Sequence, residues 1–540
     1  MVNLSRRSAP KRRTGARTQP AKAKERPDLY IGLVCAAGTD LTETKNQLRA
    51  QLSVVNYRYE EIKVSDLIAD LVNVAPATDE YMRMKQLMAG GDLLRQNSAE
   101  GEGVGAATIA EIRRRRNGSD LPNSTAYIID SLKNPAEIRL LDQIYGRNYY
   151  TVSVFLPKDD RINNLKNKIA HSRHEPPGDG HQELAEELVS ADERGVGNRA
   201  QNVQDSFHRA DFFVNGAEEA SAQIKRFVEL VFGEPFTTPT PDEFSMFVAK
   251  AAALRSCDLS RQVGAVIIDR EGAIVSSGCN EVPYPDGGIY YEGKAGGIGD
   301  NRDKTEGHDP NAVEIQRTLI ELIDLLQDTG YLSKRLKSAT VADSLLYGGH
   351  RELLKDARIR NLIEFGRVVH AEMHALSQAA SSGRSVRGAT LFCTTFPCHG
   401  CARHIIAAGV HEVVFIEPYP KSLTERLYGK EIEISNCPLQ DHEREPLQRV
   451  RFRPFHGVAP KLYQRAFQSR QRKDAYGTVL KWQPKRATPV GAVFGVERES
   501  VEITASNSVA ETLKKITVQI TGTKKGKRRG ATVSKRANSK

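Results

Sequence analysis

From residue 29 onward, short continuous apolar runs alternate with amphipathic stretches, a pattern that predicts a parallel sheet wrapped by helices. The run LYIGLVC precedes a glycine-containing turn, AAGTD, and then LTETKNQLRAQL, whose apolar positions recur at helical spacing. TAYIID predicts a strand ending at Asp130, the residues after Pro135 a helix, and YYTVSVFLP a further strand. The polar stretch from Lys166 to Arg194 is helix-prone. ADFFVNG and the amphipathic run behind it close this half with a strand and a helix.

The prolines and threonines of EPFTTPTPDE form a linker that places a boundary near residue 237. Beyond it EFSMFVAKAAALRS predicts a helix, and VGAVIID and AIVSSGCN two strands around the turn REGA. A glycine- and Asn/Asp-rich stretch and the amphipathic run AVEIQRTLIELIDLLQD then read as an insertion, 281–366. The alternation resumes as VVHAEMHALSQAA (helix), GATLFCTT (strand), CHGCARHIIAAG (helix) and HEVVFIEP (strand). The organisation expected is a basic arm (1–27), a first α/β domain (28–236), a second (237–470) and a C-terminal extension (471–540) with a basic flexible tail.

A chain of 540 residues with 39% hydrophobic and 27% charged residues suits two soluble domains. The formal charge of +11 is concentrated at the two ends, and the body between them is mildly acidic. Such ends either solubilise the protein or hold nucleic acid without sequence preference. No stretch approaches the roughly 18 apolar residues of a membrane span, and no apolar signal core follows the basic start. Seven unevenly placed cysteines do not suggest a disulfide framework, so a cytoplasmic protein with reduced thiols is expected.

Two of those cysteines, Cys398 and Cys401, are separated by two residues at a predicted helix start, where backbone N–H groups favour thiolates. Alone, such a pair reads equally as a redox or a structural-zinc motif. His370 begins the preceding helix, and His370, Cys398 and Cys401 together supply three of zinc's four tetrahedral positions, leaving one for water. Glu372 stands two residues after His370, within reach of such a water, and suits a proton shuttle rather than a ligand. HAE followed by PCHGC is the H-x-E and P-C-x-x-C signature of zinc deaminases. Cys393 and Cys437 read as core or loop residues.

From FVAKAAALRSCDLSRQVGAVIIDREGAIVSSGCNEVP to FIEPYPKS the chain resembles the deoxycytidylate deaminases over nearly the whole catalytic fold. That resemblance implies a zinc enzyme that converts dCMP, dCTP or both to deoxyuridine nucleotides. It implies an amide from Asn280 to the sugar hydroxyl, Tyr419 against the nucleotide, and Arg255, Ser256 and Gln262 as further substrate contacts, with Arg255 toward phosphate. Two positions depart from the family pattern: His374 where asparagine is common, and Glu281 where glycine follows Asn280. Within the insertion, Asp300, Arg302, Asp303 and His308 read either as a nucleotide-sensing loop or as a capped surface loop.

In the first half Gly32, Gly38 and Thr39 lie between strand and helix, and Asp130 sits at a strand end as a Walker-B acid would. The lysine of G-K-[ST] is absent, so GLVCAAGTD reads as a degenerate phosphate loop or a plain tight turn. ADFFVNG resembles the last strand of small nucleoside-monophosphate kinases.

Over residues 28 to 470 the pairing of halves resembles the bacterial anti-phage cytidine deaminases. It implies a P-loop kinase-like doubly wound domain, followed by an α/β/α three-layer cytidine deaminase-like domain. The same resemblance implies a nucleotide sensed by the first half, a homo-oligomer, and an inhibitory small RNA with the basic tails and Arg113 to Arg116 as candidate contacts. A solvated helix face explains those four arginines equally well. Two other functions compete: a deaminase acting on DNA or RNA strands, and a nucleotide-sensing regulatory protein with an inactive second half.

Overall fold

A computed structural model describes residues 26–537 apart from 119–123, 194–199, 294–298, 355–356, 418–421, 436–447 and 493–497, with side chains as far as residue 518. It is an α/β structure with two sheets. The first contains β1 (Leu29–Cys35), β2 (Arg58–Lys63), β3 (Thr125–Leu132), β4 (Tyr149–Phe155) and β5 (Phe212–Asn215), all parallel, in the order β5-β4-β1-β3-β2. β1 is buried along its whole length, which is why it reads as a continuous apolar run rather than an alternating one. β3 runs two residues past Asp130.

The second sheet comprises β6 (Gly264–Ile268), β7 (Ile274–Cys279), β8 (Thr390–Thr395), β9 (Glu412–Glu417), β10 (Ile432–Ile434) and β11 (Val450–Pro454), in the order β10-β11-β9-β8-β6-β7. The hairpin of β6 and β7 is antiparallel, and β8, β9, β11 and β10 run parallel to one another. One face packs on the Ala371–Ser381 and His399–Ala407 helices. The other packs on the Pro241–Ala253 helix and reaches across to Ala210 and Phe213 of the first half, so the two halves share a core.

The chain crosses the expected boundary at residue 470 early. β12 (Gly457–Val458) adds antiparallel to β5 of the first sheet, and Val458, Leu462 and Ala466 pack into the first half's core. The Arg498–Ala537 helix also returns to the first half, where Val509 and Leu513 lie against Ala106 and Ala107. It continues into the basic segment for which a flexible tail was expected. The basic arm, residues 1–25, lies outside the described residues.

Arg114, Arg115 and Arg116 of the arginine run are all engaged in ion pairs. Arg114 and Arg115 pair with Glu111 at 2.7 Å each, and Arg116 pairs with the fully buried Glu502 of the C-terminal helix. Glu111 stands one helical turn before its partners, the spacing at which side chains on a helix meet.

Glu243 joins the halves. It is 1% exposed, accepts from the Val458 N–H at 2.9 Å and the Thr240 N–H at 2.8 Å, and pairs with Arg226. Glu243→Ala leaves a half-buried guanidinium without its carboxylate and two backbone N–H groups without their acceptor, so a loss of about 3 kcal/mol is expected. Urea denaturation of the intact chain, followed by fluorescence of its single tryptophan, Trp482, which packs against the first core, measures it.

Candidate active site

Two helix N-termini meet at the carboxyl end of β8. His370 is the N-cap of the Ala371–Ser381 helix and Cys398 the N-cap of the His399–Ala407 helix, its sulfur accepting the Cys401 N–H at 3.4 Å. The donor atoms of His370, Cys398 and Cys401 lie within 4.8 Å of one another, with His370 Nδ1 3.4 Å from Cys398 Sγ and 3.3 Å from Cys401 Sγ. One imidazole and two thiols converging at that separation fit a zinc ion and leave its fourth position free.

The three side chains shift one another's protonation, and the bond to Cys398, with burial, pushes the Cys401 thiol well above its ordinary value. The hydrogen bond from Cys401 and the adjacent His370 ring draw the Cys398 thiol down to about 4, and the bond to Cys398 lifts His370 to about 9. Glu372 is 4% exposed; its burial raises the carboxyl, against the opposing pull of His370. A buried carboxyl with a raised pKa, lining a cavity, can both accept and return a proton.

That cavity, about 370 Å³, is the size of a nucleoside site. His370, Glu372, Cys398, Asn280 and Phe396 line it, and so do Asp258 and Arg261 from the turn before β6. The insertion supplies a further wall through Asp303, Asp309 and Asn311. Its two stems meet where Glu281 and Val369 exchange backbone hydrogen bonds of 3.3 and 3.0 Å, one residue before His370.

The expected substrate residues divide. Asn280 lines the cavity, but its amide accepts the Val263 N–H at 2.7 Å and donates to Arg261 O at 2.7 Å. Gln262 donates to Ser256 O at 2.7 Å, and Ser256 Oγ accepts the Asp258 N–H at 3.2 Å. These side chains brace the 256–263 turn that presents Arg261. Arg255 does not line the cavity; its guanidinium stacks 4.0 Å over the ring of Tyr291. Tyr419 and Cys437 lie outside the described residues, and Cys393 is buried in β8.

Both departures from the family pattern are structural. His374 Nδ1 accepts the Cys279 N–H at 3.2 Å, and burial lowers its pKa. Glu281, 1% exposed, receives the Cys257 N–H at 3.0 Å and the Val282 N–H at 2.9 Å, pinning the start of the insertion. Arg302 is bound to Asp300 and Glu292, Asp303 to Arg367, and His308 is exposed, so the loop is braced and only Asp303 of the four reaches the cavity wall.

Arg261 was missed by sequence reasoning, although it directly precedes the QVGA landmark. It is the one arginine or lysine lining this cavity among the described residues, and it lies 3.7 Å from Glu417.

In the first half a larger cavity, about 580 Å³, opens at the carboxyl ends of β1 and β3. Gly38, Thr39 and Asp130 line it. Gly32 does not: it sits mid-strand in β1, where a Cβ would lie 2.5 Å from Tyr149 Oη, so it is a packing position. Asp130 is paired with Lys45 at 2.8 Å.

A family model described as the cytidine and deoxycytidylate deaminase zinc-binding region matches residues 239–417. The deoxycytidylate deaminase of Enterobacteria phage T2 is 31% identical over 183 residues, 33% of this chain and 82% of that protein. The deoxycytidylate deaminase of Homo sapiens is 26% identical over 174 residues, 32% of this chain and 63% of that protein. The crystal structure of a dCMP deaminase from the cyanophage S-TIM5 in complex with dCMP and dUMP aligns with 41% of this chain and all of that one, at 18% identity. Its TM-score of 0.20 is too low to carry an argument.

Cys398→Ser and Cys401→Ser are each expected to lower bound zinc from one ion per chain toward none. Elemental analysis of the purified, dialysed variants beside the parent protein measures it.

Proposed function

Because the chain belongs, through its second half, to the cytidine and deoxycytidylate deaminase family, we propose that it hydrolyses the exocyclic amino group of a free deoxycytidine nucleotide, releasing ammonia and a deoxyuridine nucleotide. The observation that carries this reading is the convergence of His370, Cys398 and Cys401 beside the buried carboxyl of Glu372 in one nucleoside-sized cavity. His370, Cys398 and Cys401 would hold zinc, which when bound supplies the Lewis acidity that makes water nucleophilic at neutral pH. Glu372 takes the proton that water gives up and returns it to the departing amine, so the C–N bond breaks as a C=O forms. Phe396 and the insertion wall confine the base, and Arg261 meets the phosphate.

The wall favours a short phosphate arm. Asp258, Asp303 and Asp309 face the cavity against Arg261, so a triphosphate meets three carboxylates unless a divalent cation accompanies it, and a DNA or RNA strand meets them with every phosphate. dCMP is therefore the first substrate to test, and dCTP with magnesium the second. Drainage of both into uracil nucleotides would serve defence against phage, the role that the paired halves suggest by resemblance.

We read the first half as a P-loop kinase-like nucleotide-binding domain that controls the second. Gln201 lines its cavity, and the segment that begins there ends at His208, whose ring lies 3.9 Å from Glu417, the carboxylate facing Arg261.

Incubation of the intact protein with dCMP, dCTP, cytidine and single-stranded DNA is expected to release ammonia from the free nucleotides. Product from DNA alone would overturn the assignment, and no product from any of them would favour a regulatory protein. Glu372→Gln should lower turnover by about 10²- to 10⁴-fold with zinc content unchanged. Arg261→Ala should raise KM for dCMP by roughly ten-fold while changing kcat little, and should leave deoxycytidine turnover unaffected.

A further inference from the structure

The loop after β1 holds one of the protein's own carboxylates where a loop of this kind would hold an anion. Asp192 is 0% exposed. Its carboxylate accepts the Ala37 N–H at 2.6 Å, the Gln201 side-chain amide at 2.5 Å and the Lys133 ammonium at 3.0 Å. Lys133 is itself held over the loop by Cys35 O at 2.7 Å. The turn is built for close approach: Gly38 has φ +89°, and a Cβ there would lie 2.3 Å from Arg161 O.

Asp192 is also in an unfavourable place for a carboxylate, the last turn of the Asp179–Glu193 helix, where the dipole is negative. The three donors of the loop hold it there. A backbone N–H, an ammonium and an amide aimed at two oxygens form the donor set that binds a phosphate group. Beside them the 580 Å³ cavity presents Lys63 and Lys168, neither in an ion pair among the described residues, and Thr39 Oγ1, buried with no hydrogen-bond partner among them.

We propose that this is a binding site for the terminal phosphate of a nucleoside triphosphate, occupied at rest by Asp192, which the ligand displaces. The proposal rests on the reading of the first half as a nucleotide-binding domain and adds to it the competitor. Displacement releases the side-chain amide of Gln201, the first residue of the segment that leads to His208 and Glu417, leaving its N–H on Asp92.

Isothermal titration of the intact protein with ATP and, separately, with inorganic triphosphate tests it. Asp192→Asn keeps the side chain's size and removes its charge; it should bind ATP at least about ten-fold tighter than the parent, and adding Lys133→Met should abolish the gain. Tighter binding of inorganic triphosphate alone would assign the site to a free polyphosphate and overturn the nucleoside part of the proposal. Equal binding by parent and Asp192→Asn would overturn the displacement and leave a nucleotide site standing. Absence of binding by both would overturn the site as well. Should Asp192→Asn fail to fold, hydrogen exchange on the parent protein decides: saturating ATP should speed exchange in residues 188–193 and 200–203, and unchanged or slower exchange there would overturn displacement.

Discussion

The seam between β7 and the Ala371–Ser381 helix is the constraint on which the candidate site depends. A Cβ at Gly278 would lie 2.3 Å from Ala371 O and 2.5 Å from Ala375 N, so strand and helix touch backbone to backbone only because that position is glycine. Ser276 Oγ donates to Ala375 O, the Cys279 N–H goes to the His374 ring, and Glu281 pairs with Val369. Four consecutive contacts fix the height of His370 over the sheet and place Asn280 at the same level. The zinc ligands on the neighbouring helix then need only the ordinary packing of β8 against β6 to arrive at the right distance. His374, through its Nδ1, is part of this seam.

What was legible in the sequence is what short-range physics dictates. Three-residue spacing at a helix start aims Cys398 and Cys401 at one point, but their union with His370 and Glu372 was legible through the H-x-E and P-C-x-x-C signature and not through spacing alone. β1, β3, β4 and β5 were legible because buried parallel strands form unbroken apolar runs, whereas β2, RYEEIK, lies at the sheet edge, is mostly polar and carries no such mark. Arg261, by contrast, has no periodic or compositional mark. Its place at the cavity is set by Asn280 and Gln262, two side chains that looked like substrate contacts and spend their amides on the turn behind it. The insertion's share of the cavity was illegible for the same reason: which residues of a glycine-rich loop face inward is decided by the buried Glu281 and Arg302 that brace it.

The linker at residue 237 looked like a boundary because its composition breaks the pattern, yet the chain on its far side does not stay there. Phe213 enters the core of the second sheet, while Val458 and Leu462 enter that of the first. Glu243 shows why such an exchange holds. It caps its own helix, as any capping-box glutamate does, and in the same position accepts an N–H from β12. Burying a carboxylate this deeply is unfavourable unless all its acceptor capacity is filled, and the donors come from both halves. The halves are thus joined through a group whose removal neither tolerates.

That junction bears on control. Both cavities lie at the carboxyl ends of their strands, and each presents a cation with a carboxylate partner: Lys133 with Asp192 in the first, and in the second Arg261 with Glu417, which stands behind the cavity wall. In the first the pair is mostly buried and closely bound; in the second it is 3.7 Å apart and half-open, so Glu417 holds Arg261 only loosely and a phosphate can compete for it. His208 touches that looser carboxylate from the first half, and burial lowers its pKa. The ring is therefore neutral near pH 7, and its grip on Glu417 is a matter of position, not charge. A displacement of the 200–208 segment would change how far Glu417 draws Arg261 from the cavity, altering substrate affinity more than the proton transfer at Glu372. On the proposed reading, control through such a contact would show in KM, because Arg261 and Glu417 would shift while His370 and Glu372 stay on the β7 seam.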